Sequence, residues 1–285
     1  MANEVSGINM LVEVGGTGVV AQSGATVSTT SELAEAITKD SNFTTQDSGD
    51  QEWTLSYEGQ MTDDTGKQAL ANGNVDLQVE VDATDDSTDN PQYEPISGLQ
   101  SVTLNLEQEL NSVPPGIDQP VGWKGYVPLR RSFSIDAEGH YLDPASDLVY
   151  DAVLDAKNNG KRLPAKLNVF GGTFEGSIAT DSMELDAPAD DNASFSFSWG
   201  GSGDLTQSGT VETTIDSILS LYFNQTTATV NLRQKDSDGN DVSASTYWEG
   251  DAHLSNFEIS MERSAYPEIS TELQGDGALS RNQVT

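Results

Sequence analysis

Two stretches of the chain lie on each other without a gap. They are Phe174–Thr206, FEGSIATDSMELDAPADDNASFSFSWGGSGDLT, and Trp248–Ser280, WEGDAHLSNFEISMERSAYPEISTELQGDGALS. Glu175-Gly176 meets Glu249-Gly250, Glu184 meets Glu258, and Gly201, Gly203 and Leu205 meet Gly275, Gly277 and Leu279. Such a repeat constrains the fold more than composition does, because each copy must be one structural unit. The repeated unit is a β-hairpin. Phe195, Phe197 and Trp199 alternate with serines, which puts the aromatic rings on one face of a strand. Ile269, Thr271 and Leu273 keep that period in the second copy. The glycines that follow are expected to end each strand.

An earlier echo relates Trp53–Gly59 (WTLSYEG) to Phe133–Gly139 (FSIDAEG), both alternating and both ending in Glu-Gly. A weaker one sets Val12-Glu13-Val14 against Val79-Glu80-Val81. Two helices are expected. Asp143-Pro144 supplies an N-cap and a first-turn proline, Leu148, Ala152 and Ala156 form a stripe, and Gly160 is the stop. Thr213–Phe223 would turn Ile215, Ile218, Leu219 and Tyr222 inward, with a strand as the alternative reading. Strands follow at Ala165–Phe170 and Ala228–Leu232, the latter before a turn at Asp238-Gly239-Asn240.

The order of these pieces divides the chain into an N-terminal half-unit (1–73), a complete unit (74–207) and a C-terminal half-unit (208–285). Half a sandwich leaves an apolar face uncovered. The two ends therefore either close on each other around the inserted unit or exchange halves with a neighbouring subunit. Long polar segments at Lys39–Gln51 and Asn111–Pro128 precede the matching Trp53 and Phe133 strands and read as loops.

Charge narrows the function. The chain has 46 acidic against 13 basic side chains and a net charge of −33, a balance that repels nucleic acid and anionic membranes. Apolar alternation persists along most of it, so the acidity points to a folded protein from a high-salt environment rather than to disorder. Cysteine is absent, which excludes disulfides and thiolate metal sites. The start, MANEVSGINMLVEV, shows no basic leader followed by an apolar core, and no window reaches the roughly 20 apolar residues of a membrane span. Synthesis and first use in the cytoplasm are expected.

No catalytic, cofactor-binding or metal site is expected. Gly16, Gly18 and Ala21 with Glu35 imitate a dinucleotide fingerprint, but β-branched residues follow where a helix would have to start, so a hairpin turn is the better reading. Asp236–Asp241 imitates a calcium loop with its glycine at position four rather than six. The acidic run Asp82–Asn90 has no ligand order and reads as a solvated loop. His140 and His253 occupy different places in the repeat and read as strand-end residues. No nucleophile elbow, paired-histidine metal motif or phosphate loop occurs, and sequons at Asn42, Asn192 and Asn224 read as accidental.

The runs VVAQSGATVSTTSELAEAITKDSN with WTLSYEGQ, ISGLQSVTLNLEQEL with GWKGYVPLRRSFSIDAEGHYLD, and the two Glu-Gly hairpins resemble siphovirus-type major tail tube proteins. The likeness covers nearly the whole chain as a pattern of short motifs. It departs from the family in its duplication and its acidity, which would suit a tailed virus of a halophilic archaeon. The resemblance implies two tail-tube-type β-sandwiches with flanking short helices, forming stacked rings around a conduit for DNA, assembled in the host cytoplasm and located in the virion tail. Its partners would be further copies of itself, as a homotrimer with pseudo-sixfold symmetry, other tail proteins at the tube ends, and a tape-measure protein in the lumen. DNA would pass without specific binding. The alternatives are a secreted or surface adhesin or carbohydrate-binding β-sandwich of a halophile, or a tail-tip component.

Overall fold

The structure is a computed structural model that describes residues 10–18, 22–36, 45–60, 75–81, 92–113, 122–141, 148–169, 171–187, 192–209, 211, 213–235, 241–243 and 245–284. The strands at the start of the chain are β1 (Met10–Val14), β2 (Thr17–Gly18), β3 (Gln22–Ala36) and β4 (Thr45–Gln60). The middle of the chain supplies β5 (Val75–Glu80), β6 (Tyr93–Pro95), β7 (Leu99–Val113), β8 (Gly125–His140), helix α1 (Leu148–Asn159), β9 (Leu163–Val169), β10 (Gly172–Asp186) and β11 (Ser194–Gly209). The last part supplies helix α2 (Thr213–Asn224), β12 (Ala228–Gln234), β13 (Thr246–Glu262) and β14 (Glu268–Gln283). The fold is mainly β with two short helices, as expected.

All 14 strands belong to one hydrogen-bonded sheet with a branched path. The middle strands run β6-β5-β9-β10-β11-β8-β7, each pair antiparallel. The end strands run β2-β1-β12-β13-β14-β4-β3, again all antiparallel. The two ends of the chain therefore pair within one molecule, β1 on β12 and β4 on β14. A further ladder, β7 on β13, joins the two groups.

Alternation builds the core. β5 and β9 bury every second residue, among them Val75, Leu77, Val79, Ala165 and Leu167. In β7, Val102, Leu104 and Leu106 are buried, and Phe195, Phe197 and Trp199 stack in sequence along β11. In α2, Ile215, Ile218, Leu219 and Tyr222 are buried, as the 3.6-residue period requires. Helix α1 differs from expectation. Val149, Val153 and Ala156 are buried, Leu148 is exposed, and Ala152 is only half-buried. The inward stripe is thus turned by one residue, toward the two β-branched side chains that fill more volume than alanine. Gly160, with a φ of +61°, ends α1 as expected.

The glycines do not end their strands. β11 runs through Gly200, Gly201 and Gly203, and β14 runs through Gly275 and Gly277. Their role is to leave room for a ring. A Cβ on Gly201 would sit 2.3 Å from Phe133, and one on Gly176 2.8 Å from the same ring. The corresponding approaches to Trp53 are 2.1 Å at Gly275 and 2.6 Å at Gly250. Each ring projects from one strand and lies across the bare backbone of the next two. The Trp53 indole N–H also donates to the Gly277 carbonyl at 3.0 Å. The ring restores to these strand glycines the packing that they lack.

The polar segments read as loops are in large part strand. Residues 45–51 belong to β4, 111–113 to β7 and 125–128 to β8. They form the outer arms of two long hairpins, bulged between Ser31 and Leu33 and between Gln108 and Leu110. Polar residues at successive positions along an arm hide the period-2 signal, so only cross-strand pairing reveals it. Residues 39–44 and 114–121 of these segments, the Asp143-Pro144 cap, the Asp238–Asn240 turn, the run Asp82–Asn90, Asn42 and Ala21 lie outside the described residues.

Overfilling a ring seat is expected to cost about 1–3 kcal/mol. Gly275→Ala should therefore lower the unfolding free energy by that amount in denaturant melts. Gly200→Ala, with nothing within 4 Å of the added carbon, should stay within about 0.5 kcal/mol of the parent.

Candidate assembly interface

The chain carries its most extended polar and apolar contact between strand groups where β7 meets β13. Seven consecutive residue pairs run from Asn256↔Glu107 to Glu262↔Ser101. On one face Phe257, Ile259 and Met261 stand opposite Leu106, Leu104 and Val102, and all six are buried. On the other face the Thr103 hydroxyl donates to Ser260 at 3.2 Å. β13 can accept β7 because β12 ends early. β12 covers Trp248 to Ala252, and β7 takes over the same side from Asn256 onward while β14 lines the other.

A clasp beside this ladder strengthens it. Residues 122–126, which lead into β8, lie between β4 and β14. The Lys124 N–H donates to the Gln51 carbonyl at 2.9 Å, and the Gly277 N–H donates to the Lys124 carbonyl at 2.9 Å. The Gln51 N–H donates to the Gly122 carbonyl, and the Tyr126 N–H to Asp276 Oδ1 at 2.8 Å. Lys124 Nζ, largely buried, reaches Glu32 at 2.7 Å and Glu52 at 3.7 Å. The Tyr126 hydroxyl donates to Glu52 at 2.6 Å. This hydrogen bond is the chief reason the Glu52 carboxyl sits below its ordinary range. The Glu32 carboxylate raises Lys124, and burial, followed by the Glu52 hydrogen bond, raises the Tyr126 phenol.

On the far side, Arg131 of β8 closes the end of α2 by donating to the Tyr222 carbonyl at 3.2 Å and the Phe223 carbonyl at 2.8 Å. A cation at a helix C-terminus satisfies the free carbonyls and the negative end of the dipole together. The Tyr222 hydroxyl donates to the Ser132 carbonyl at 2.8 Å, and burial pushes its pKa up to about 12. Phe223 stacks on Phe174 at 6.5 Å.

The residues that imitated chemical motifs fall elsewhere. Gly15 and Gly16, with φ of +59° and +80°, form the turn from β1 to β2, and Glu35 lies in β3, so the dinucleotide imitation is a hairpin. His140 ends β8, beside Glu138, Glu184 and Asp186. His253 lies inside β13, buried, where its Nε2 donates to the Tyr126 carbonyl at 3.0 Å. It belongs to the clasp and not to a strand end. Asp241 bonds Arg233 at 3.1 Å and Lys235 at 2.8 Å, and the same two cations reach Glu13 of β1. The carboxylate with which the calcium imitation ends therefore holds the two cations through which Glu13 fastens β1 to β12. Among the described residues, no three His, Asp or Glu side chains are grouped to hold a metal ion. Sequence reading missed the clasp altogether. Its signal was Lys124 beside Tyr126, a rare cation and a hydroxyl donor in an acidic chain, which the glutamates Glu32 and Glu52 answer from afar.

Residues 79–207 match the family model described as phage tail tube protein. No curated protein matches the chain. Among solved structures, the tail of an empty gene transfer agent particle, refined with C6 symmetry, is 20% identical with a TM-score of 0.39. It covers 48% of this chain and 96% of its own. The virion of a native gene transfer agent particle gives 19% identity and 0.38, over 47% and 95%. The SPP1 tail tube gives 18% identity and 0.35, over 51% and 83%. Each spans about half of this chain.

The clasp makes a pH prediction. Because the Glu52 pKa is lowered on folding, its contribution is present above the ordinary carboxylate range and is lost as pH falls through the folded value. Tyr126→Phe should lower stability by about 1 kcal/mol at pH 7, a charged hydrogen bond discounted for the partial exposure of Glu52. Denaturant melts should show that difference shrinking as pH falls below the ordinary carboxylate range.

Proposed function

We propose that the chain is a structural subunit of a viral tail tube, located in the virion tail and self-assembling into stacked rings that enclose an anionic conduit for the genome. The observation that carries this reading is the match of residues 79–207 to the tail tube family, which falls on the middle strand group. Its role is mechanical rather than enzymatic.

The chain is read as two tail tube units, one nested in the other: a complete unit over 74–207, and a split unit made from 1–73 and 208–285. Strand pairing supports this. β1-β12-β13-β14-β4-β3 repeats the order β5-β9-β10-β11-β8-β7, with bulges at corresponding places between Glu249 and Asp251 and between Glu175 and Ser177. The ladders also correct one sequence match. Val230 and Ala165 face Gly250 and Gly176, and their other partners are Val14 and Val79. Val14 thus holds the place of Val79, whereas the alignment equated Val12 with it. Because β1 meets β12 and β4 meets β14 within one chain, the split unit needs no exchange of halves.

If one unit fills a sixth of a ring, three copies of this chain fill it, giving a homotrimer with pseudo-sixfold symmetry. Other tail proteins at the tube ends and a tape-measure protein in the lumen complete the proposed partners. The net charge of −33 supports a conduit along which DNA moves without sticking, and an origin at high salt.

Cryo-electron microscopy of the protein assembled in molar salt tests the reading. Rings of three chains are expected; rings of six chains, or a protein that stays monomeric at high concentration, would overturn it. Removing salt lengthens the screening distance from about 3 Å at 1 M to about 10 Å at 0.1 M. The melting temperature should fall accordingly, and an unchanged value would refute the high-salt origin.

A further inference from the structure

We infer that the free edge of β3 in one copy pairs antiparallel with the distal half of β10 in a second copy, reproducing between molecules the ladder that β7 and β13 make within one. This rests on the ring reading above and supplies its interface.

The two strand groups correspond piece by piece. β7 is to β8 as β3 is to β4, with matching bulges at Leu99/Ser101 and Gln22/Gly24. β13 is to β14 as β10 is to β11, with Asn256↔Glu272 matching Ser182↔Ser198. β7 and β13 pair with each other, yet among the described residues β3 pairs only with β4, and residues 179–186 of β10 pair only with β11. β9 stops at Ile178 just as β12 stops at Ala252, leaving the same step open. One chain therefore holds one made junction and the two unmatched halves of another.

Burial marks the same places. Ile259 in the made junction is 2% exposed, and its counterpart Leu185 is 43% exposed. Leu104 is fully buried, whereas its counterpart Val27 is only half-buried. The contact beside the ladder repeats the contrast. Phe174, on which Phe223 of α2 stacks, is 3% exposed, and its counterpart Trp248 is 37% exposed. Leu219 of α2 is fully buried, and its counterpart Leu154 of α1 is 39% exposed. An edge with open N–H and C=O groups flanked by apolar side chains invites another strand. The occupant these places fit is another copy of this chain, because the chain already shows the partner surface closed on itself. A β3 edge and a β10 edge in one molecule form a head-to-tail contact, the kind that closes into a ring when the rotation between copies closes.

Transfer of the made register gives Thr26↔Asp186, Val27↔Leu185, Ser28↔Glu184, Thr29↔Met183 and Thr30↔Ser182. Thr26 and Asp186 correspond to Thr103 and Ser260, the hydrogen-bonded pair on the outer face. The absence of native cysteine allows a direct test. Thr26→Cys with Asp186→Cys, oxidised after assembly in molar salt, should form intermolecular disulfides, since facing residues of an antiparallel pair fall within disulfide reach. A reducing-sensitive ladder ending at three chains is expected. Thr103→Cys with Ser260→Cys, which should cross-link within one chain, checks that the oxidation works. Thr26→Cys with Leu185→Cys, on opposite faces, should give little product. Rings of three chains without the Thr26–Asp186 cross-link would overturn this interface and leave the ring reading standing. A ladder running beyond three chains would keep the interface and overturn the threefold ring.

Discussion

Residues 54–60 of β4 pair with β14, and the two ladders that close the end group, β4 on β14 and β1 on β12, join segments from opposite ends of the chain. Everything in that half of the molecule depends on this closure. Without it β3 and β4 would be a two-stranded ribbon, a form with marginal stability of its own. The seat for Trp53 would also not exist, since its glycines and the carbonyl that accepts its N–H all belong to β13 and β14. The ring, the backbone ladder and the Glu13–Arg233–Lys235–Asp241 ion group secure the same closure by three different forces.

The β7–β13 ladder and the Lys124 clasp then make one body of two groups. Their chemistry is divided by face. Apolar residues from both strands meet on the inside, and hydroxyls and ion pairs meet on the outside. In a chain with a net charge of −33, Lys124 and Arg131 are scarce cations placed at this one boundary, one between two glutamates and one on the end of α2.

The hairpin alternation and the repeat were legible in the sequence because both follow from period-2 patterning, which residues such as Phe195, Phe197 and Trp199 write plainly. The glycines were legible as a motif but not as a function. Gly201 and Gly275 make sense only once Phe133 and Trp53 are seen to lie over them, and each ring comes from a strand far away in sequence. The hairpin arm at 45–51 was hidden by a run of polar residues that breaks the alternation, and the arm at 125–128 by the glycine and proline that bracket it. The stripe on α1 was misplaced because Leu148, the larger apolar side chain, faces away from the core of its own chain. The clasp left no local pattern, since it brings together side chains from separate strands.

The ladder between β4 and β14 also sets a clock. Gln60 and Glu268, which share a hydrogen bond in that ladder, are 208 residues apart. At roughly 5–20 residues per second, a ribosome needs about 10–40 seconds to make the intervening chain. Throughout that interval the middle group can fold, while the β3–β4 ribbon waits with both of its long edges open. Slow, non-local strand pairing exposes such edges to unwanted association.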